Sequence, residues 1–310
     1  MKSLRLISIA ALSALAFTAQ AGQVITTGGV SLGIQDMGSL GYSGVGISLA
    51  GVGDGIIPGC LCEGWGASLG GTAGWSANAN GGDVNVGLVS FGSTLTTATS
   101  VVNVGGAGGL QVTQAYGLST SSSLIKDHVT LTNNSGSAAA VRYSRSMDWD
   151  IPPTTFSELV TIGGVGATKL IFSNDNGFAT PNPLANPGEL VGGTNNVNFT
   201  DVGPSDHGAY FTFDFGMVAA GESVSFDIFY GAADSEAAAF GALGAVGAEV
   251  YSLGQNSRTG TTDGTPGTFI FGFAGVGGTP VPTIPEPETY ALMLAGLGVV
   301  GFMARRRRAA

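Results

Sequence analysis

Two aspartates, Asp148 and Asp150, lie two residues apart in a segment that is predicted to be extended. Side chains at this spacing point to the same face of a strand, roughly 6.6 Å apart along it. Such a pair could act as a general acid and base, or its oxygens could bind Ca²⁺ with Asp175 as a further ligand. In a structural interpretation, both carboxylates accept hydrogen bonds from Arg142, Arg145 or backbone amides. The residue types leave all three interpretations open.

Cys60 and Cys62 are the only cysteines in the chain. Free thiols are rare in exported proteins, which favours a small local disulfide between the two. The alternatives are two free thiols, metal binding and pairing with another chain, although two cysteines alone do not make a zinc site.

His207 follows Asp206 in a segment that is typical of a polar turn. No catalytic residue is predicted.

Strands are the elements that must position these side chains. Apolar and polar residues alternate over residues 110–116 and 223–230, and a further strand is predicted at 268–274. Residues 128–132 and 141–147 are predicted to pair as a hairpin, because the polar segment between them is typical of a turn.

One later segment has a different period. Residues 235–253 place Phe240 and Leu243 at helical spacing, with Asp234 as the N-cap and Gly254 just beyond the end. The sequence therefore predicts one late α-helix.

Composition limits the fold class. The chain has 53 glycines among 310 residues, yet 44% of its residues are hydrophobic and only 10% are charged. So apolar a chain should fold, and abundant glycine with low charge is typical of short strands and tight turns. We expect a mainly β, antiparallel sandwich-like body over residues 22–280 with one late α-helix. It could form one domain or two subdomains, 22–120 and 121–280.

The first 21 residues have the order of a secretory signal peptide. Lys2 and Arg5 precede an apolar run, which ends at the small residues Ala19 and Ala21. The run is shorter than the ~20 residues that a membrane-spanning helix needs. We therefore expect cleavage after Ala21 and export of the chain.

The opposite end, residues 281–310, combines three features. Pro285 and Pro287 hold the chain extended around Glu286. Residues 289–304 carry no charge and are predicted to form a single transmembrane helix ~24 Å long. The next four residues, Arg305, Arg306, Arg307 and Arg308, act as a cytoplasmic stop, since positive flanks stay inside. The body is thus expected across the membrane.

This order of features resembles the PEP-CTERM sorting domain. The resemblance implies that an exosortase recognises Pro285, Glu286 and Pro287 while the precursor is transiently tethered to the inner membrane. It also implies delivery to the cell surface or to the exopolysaccharide matrix of a Gram-negative bacterium, as in a biofilm. The alternative is a membrane anchor that is never cleaved.

The body resembles a recurrent module of exported PEP-CTERM proteins, and this module has no assigned activity. The residues that carry the resemblance are 58–66, 131–136, 143–150, 173–178, 182–184, 206–208, 230–233 and 251–254.

Charge excludes one class of partner. The two terminal segments contain six of the 11 basic residues and two of the 21 acidic residues. The body therefore keeps 5 basic and 19 acidic residues, which gives it a net charge of about −14. Phosphate binding needs clusters of Lys or Arg, so nucleic acid is not an expected partner.

We expect a non-enzymatic surface or matrix protein, with no cofactor unless Ca²⁺ binds. The alternative is a polysaccharide-binding or polysaccharide-acting enzyme that uses Asp148 and Asp150.

Overall fold

The computed structural model describes residues 21–258 and 263–283, together with Leu297. The predicted signal peptide lies outside this part except for Ala21, and so does the predicted transmembrane helix except for Leu297. Residues 285–287 and 305–308 also lie outside it. In the part of the chain that is described, no helix is long and apolar enough to cross a membrane.

Three antiparallel sheets contain the strands of the described residues. The first has the spatial order β1 (Gly22–Thr27), β2 (Val30–Gln35), β3 (Ile47–Leu49) and β4 (Gly53–Asp54). The five-stranded sheet has the order β13 (Leu170–Asn174), β15 (Gly208–Val218), β11 (Ala139–Asp148), β5 (Glu63–Leu69) and β6 (Thr72–Ala77). The nine-stranded sheet has the order β14 (Phe199–Ser205), β12 (Glu158–Gly163), β17 (Val250–Asn256), β18 (Thr268–Ala274), β16 (Ser223–Ala233), β10 (Leu124–Asn133), β9 (Leu110–Leu118), β8 (Ala98–Val104) and β7 (Val86–Ser93). Within residues 21–258 and 263–283, the helix is α1 (Glu236–Ala245).

Aromatic side chains join the two larger sheets across one core. The ring centres of Phe211 in β15 and Phe273 in β18 lie 5.3 Å apart. Those of Tyr143 in β11 and Phe226 in β16 lie 5.0 Å apart. Alternate residues of β9 are buried, because successive side chains of a strand point to opposite faces. The antiparallel, mainly β fold with a late helix is as predicted, and residues 22–120 and 121–280 contribute strands to the same two large sheets.

The predicted hairpin of residues 128–132 and 141–147 is wrong. Strand β10 pairs with β9 and β16, whereas β11 pairs with β5 and β15 in the opposite sheet. The polar turn is present, but the chain crosses between sheets there. The side chain of Asn133 holds this crossing by donating hydrogen bonds to the carbonyl oxygens of Ser137 and Val218.

The helix is shorter than predicted. Its N-cap is Ser235, whose hydroxyl accepts a hydrogen bond from the amide of Ala238, and Asp234 does not cap it. Gly247, with a φ of +66°, follows the C-cap, and the chain then enters β17. The apolar residues at the end of the predicted helix are strand residues, since a short apolar run fits either period.

Candidate functional site

Three carboxylates meet at the end of strand β11. Asp148 is the last residue of that strand, Asp150 follows it, and Asp206 lies in the connection between β14 and β15. One oxygen from each lies within 4.8 Å of the other two. We call these three residues the acidic cluster.

Antiparallel pairing brings Asp206 to the other two aspartates. Asp148 is paired with Gly208 in the register of β11 and β15. The amide of Trp149 continues the ladder by donating to the carbonyl oxygen of His207 at 3.4 Å. Two residues further along this antiparallel register, Asp150 stands opposite Asp206.

Two glycines allow this close approach. A Cβ atom on Gly208 would lie 2.0 Å from the carbonyl oxygen of Met147, and one on Gly177 would lie 2.5 Å from the Cα atom of Asp148. Both distances are below van der Waals contact, so any larger residue would displace the end of β11.

Four buried carboxylate oxygens at the site lack hydrogen-bond donors among the described residues. Asp150 is fully buried, and neither of its carboxylate oxygens has a partner among the described residues. The same holds for Oδ1 of Asp148 and for Oε2 of Glu158, the first residue of β12. Asp206 is exposed, so the acidic cluster opens to solvent on its side.

The arginines considered as partners bind other carboxylates. Arg142 donates from Nε to Oδ2 of Asp214 at 3.0 Å. Nη2 of Arg145 lies 2.6 Å from Oε1 of Glu63. The interpretation of Asp148 and Asp150 as arginine-bound structural carboxylates is therefore wrong.

Burial and mutual repulsion raise the pKa values of the site. Burial, reinforced by the charges of Asp150 and Asp206, raises the pKa of Asp148 to about 9. Burial raises the pKa of Glu158 to about 8, and burial together with the charge of Asp206 raises that of Asp150 to about 7. Without a compensating positive charge, this group of carboxylates cannot be fully ionised near neutral pH.

Asp175 lies outside the acidic cluster. The third carboxylate of the cluster belongs to Asp206, and not to Asp175 as the sequence predicts. Asp175 accepts hydrogen bonds from the amides of Leu190 and Val191 and from the hydroxyl of Thr194, and its Oδ2 lies 2.9 Å from Nδ1 of His207. Burial opposes ionisation of Asp175, but these hydrogen bonds lower its pKa below the ordinary value. Asp175 therefore holds His207, the neighbour of Asp206, in place.

Cys60 and Cys62 are joined by a disulfide next to the acidic cluster. The sulfur of Cys60 lies 3.8 Å from Oδ2 of Asp148. In this bonded form neither sulfur is a thiolate ligand.

Several segments that carry the family resemblance converge here. Residues 58–66 supply the disulfide, and residues 206–208 supply Asp206 and Gly208. Trp149 donates from Nε1 to the hydroxyl of Ser252 at 3.0 Å, within residues 251–254. The segment containing Asp206 thus carries part of the resemblance, but nothing in its local sequence connects it with Asp148.

Two serines have the Gly-x-Ser-x-Gly spacing of a hydrolase nucleophile, Ser31 between Gly29 and Gly33 and Ser68 between Gly66 and Gly70. Ser31 lies inside strand β2, and its hydroxyl is 2.9 Å from that of Thr26. Ser68 is buried inside strand β5. A nucleophile of this class requires a sharp strand-to-helix turn, so neither serine has the required geometry.

The fold and the site define an antiparallel, mainly β protein with a carboxylate cluster at the junction of its two larger sheets. Its C-terminal segment, residues 283–308, matches the PEP-CTERM protein-sorting motif. This motif is of the kind that an exosortase recognises, and it indicates an exported protein that is membrane-anchored and then processed.

Two solved structures are similar in outline. One is a galactose mutarotase related enzyme from Lactobacillus acidophilus, with 8% identity, 83% of this chain and 86% of that chain covered, and a TM-score of 0.32. The other is a galactose mutarotase-like protein from Lactobacillus casei ATCC 334, with 11% identity, 86% and 91% covered, and a TM-score of 0.30. Likeness at this level carries no argument about function. No curated protein matches the chain.

Proposed function

We propose that this chain is a non-enzymatic protein of the cell surface or of the exopolysaccharide matrix, in a structural or binding role. The observation that carries the proposal is the PEP-CTERM motif at residues 283–308. In this scheme the inner membrane holds the precursor only until an exosortase acts at Pro285, Glu286 and Pro287. The product is an acidic β protein with a charge of about −14.

The burial of the candidate carboxylates supports a non-catalytic body. Asp150 is fully buried and Asp148 is 2% exposed. A polysaccharide chain cannot reach carboxylates in that position without local opening of the fold, whereas a general acid must lie within hydrogen-bond reach of the bond that it protonates. The alternative, an enzyme that uses Asp148 and Asp150 on polysaccharide, is therefore less well supported.

A matched pair of variants tests the sorting step. Glu286→Ala changes the central residue of the Pro-Glu-Pro triplet, and Glu288→Ala removes the same charge two residues later. In cells that produce an exosortase, Glu286→Ala is expected to leave the protein in the membrane fraction at precursor size. Glu288→Ala should be processed and released like the wild type.

A deletion tests the anchor. Removing residues 285–310 should send the body directly to the soluble periplasm or the medium, without a membrane-bound stage. Membrane retention of this deletion would contradict the proposal, and so would equal processing of the Glu286→Ala and Glu288→Ala variants.

A further inference from the structure

We propose that Asp148, Asp150 and Asp206 bind a divalent cation, with Ca²⁺ as the preferred ion. This inference is independent of the proposed function, because it rests on the body and not on the sorting tail.

The geometry of the acidic cluster suits a single ion. Oxygens of the three carboxylates lie within 4.8 Å of one another. Calcium binds oxygen at about 2.3–2.6 Å, so two of its ligands can stand up to about 5 Å apart across the ion. One cation between the three side chains can therefore contact all of them.

The unpartnered oxygens are the second and independent observation. Asp150 is completely buried, both of its oxygens lack a hydrogen-bond donor, and Oδ1 of Asp148 also lacks one. A buried carboxylate without donors is costly, and buried charges in proteins are normally paired or bound to a metal. A cation held between the three carboxylates would supply the positive charge that these buried groups lack.

The neighbouring protein groups do not supply the missing positive charge. Arg142 and Arg145, on the same strand as Asp148, are bound to Asp214 and Glu63. Nδ1 of His207 faces Asp175. The other nearby ionisable groups that affect Asp148 and Asp150 are acidic, namely Glu158 and Asp54. Among the described residues, the site thus concentrates negative charge.

The donor set favours a hard cation. All three candidate ligands are carboxylates, and the nearby cysteines are bonded to each other. Oxygen ligands suit Ca²⁺ and Mg²⁺, whereas zinc and copper prefer nitrogen and sulfur. Calcium tolerates irregular coordination and can complete it with water on the exposed side of Asp206, whereas Mg²⁺ requires near-ideal octahedral geometry. We therefore expect Ca²⁺ to bind more tightly than Mg²⁺.

The position of the site gives the ion a structural role. Asp148 ends a strand of the five-stranded sheet, and Asp206 lies where the chain passes from β14 in the nine-stranded sheet to β15 in the five-stranded sheet. An ion shared by Asp148 and Asp206 would tie this crossing to the end of β11. Ca²⁺ would then stabilise the junction of the two sheets.

The first experiment measures melting of the full-length chain, purified in mild detergent and stripped of metal with EDTA. Extracellular Ca²⁺ modules bind with Kd values on the order of 10⁻⁴ M, so 10 mM CaCl₂ should raise Tm by about 5 °C or more. NaCl at the same ionic strength should not reproduce this shift, and MgCl₂ should give a smaller one. Calorimetric titration with CaCl₂ should show about one ion per chain.

Aspartate-to-asparagine variants assign the binding to the acidic cluster. Asp206→Asn changes an exposed side chain, so the protein should fold while its Ca²⁺ affinity falls by about tenfold or more. Asp150→Asn should raise Tm without Ca²⁺, because it removes one charge from a repulsive group, and should lose the increase that Ca²⁺ gives the wild type. Asp83→Asn is the matched control, an exposed aspartate outside the cluster that should keep the full response.

The effects expected of Asp150→Asn, a higher Tm without Ca²⁺ and no further increase with it, distinguish a cation site from a structural carboxylate. The proposal fails if Asp150→Asn and Asp206→Asn keep the wild-type response to CaCl₂, or if NaCl gives the same shift. It also fails if Asp150→Asn lowers Tm equally with and without Ca²⁺, since the carboxylate would then have only a structural role. An equal response to MgCl₂ would overturn the preference for Ca²⁺.

Discussion

Nη2 of Arg145 lies 2.6 Å from Oε1 of Glu63, and both side chains are completely buried. The guanidinium also donates to the side chain of Gln114 at 2.9 Å and lies 5.1 Å from the ring centre of Tyr230. Glu63 and Arg145 belong to the five-stranded sheet, and Gln114 and Tyr230 belong to the nine-stranded sheet. The ion pair therefore forms part of a polar connection through the core.

Removing one partner of this buried pair should be strongly destabilising. Glu63→Gln leaves the Arg145 charge uncompensated, so we expect a loss of about 3–5 kcal/mol in the free energy of unfolding, measured by urea denaturation. Asp214→Asn is the matched control, because Asp214 pairs with Arg142 on the same strand in a partly exposed position. That variant should lose about 1 kcal/mol or less. Equal losses would mean that burial does not set the contribution of the pair.

Asp127 should make stability depend on pH. Burial raises its pKa from 3.8 to about 7, although the nearby Arg145 charge acts in the opposite direction. Between these values the folded protein keeps the proton and the unfolded chain releases it. The free energy of unfolding should therefore fall as pH rises from 4 to 8, by up to about 4 kcal/mol from this group.

The variant Asp127→Asn removes this contribution. Its free energy of unfolding, measured at a fixed CaCl₂ concentration, should decline less steeply with pH than that of the wild type. The exposed control Asp83→Asn should follow the wild-type curve. Parallel curves for Asp127→Asn and the wild type would show that Asp127 keeps an ordinary pKa in the folded protein.

Gly208 is expected to tolerate no side chain. A Cβ atom there would lie 2.0 Å from the carbonyl oxygen of Met147, so Gly208→Ala must displace β15 or the end of β11. We expect a loss of about 2 kcal/mol or more. Gly92→Ala, in edge strand β7 with nothing within 4 Å of the new atom, should change stability by about 0.5 kcal/mol or less. Thermal melting of both variants measures the difference, and a neutral Gly208→Ala would contradict the close approach.

The disulfide should contribute modestly to stability. It joins residues that are only two positions apart, so it restricts the unfolded chain little, and replacing both cysteines with serine should cost about 2 kcal/mol or less. A reducing agent should lower the melting temperature of the wild type by a similarly small amount and leave the Cys60→Ser, Cys62→Ser double variant unchanged. A large loss would indicate that the disulfide has a greater role in positioning Asp148.

Local patterns predicted individual elements better than their partners. Strand β18 lies at the predicted residues, and the alternation at 110–116 and 223–230 lies within β9 and β16. The hairpin prediction is wrong because a polar turn has the same sequence pattern in two situations. The next strand can pair beside the first one, or it can cross to the opposite sheet. The helix ended early because its last apolar residues fit strand β17 equally well.

The candidate site was predicted only in part for the same reason. The spacing of Asp148 and Asp150 is visible in the sequence, but nothing in the residue types there selects Asp206 over Asp175 as the third carboxylate. The register of β11 against β15 selects Asp206. Hydrogen bonds from three neighbouring groups and the contact with His207 occupy Asp175 instead.

The sequence by itself determined the sorting motif and the β character of the body. Both are local properties: a linear peptide carries the sorting signal, and alternation along each segment sets its preference for strand. Only the tertiary structure decided which strands are neighbours, where Arg145 finds its carboxylate, and that Asp206 joins Asp148 and Asp150. Those outcomes depend on pairing between residues far apart in the chain, where the free energy comes from burial and register that no short segment contains.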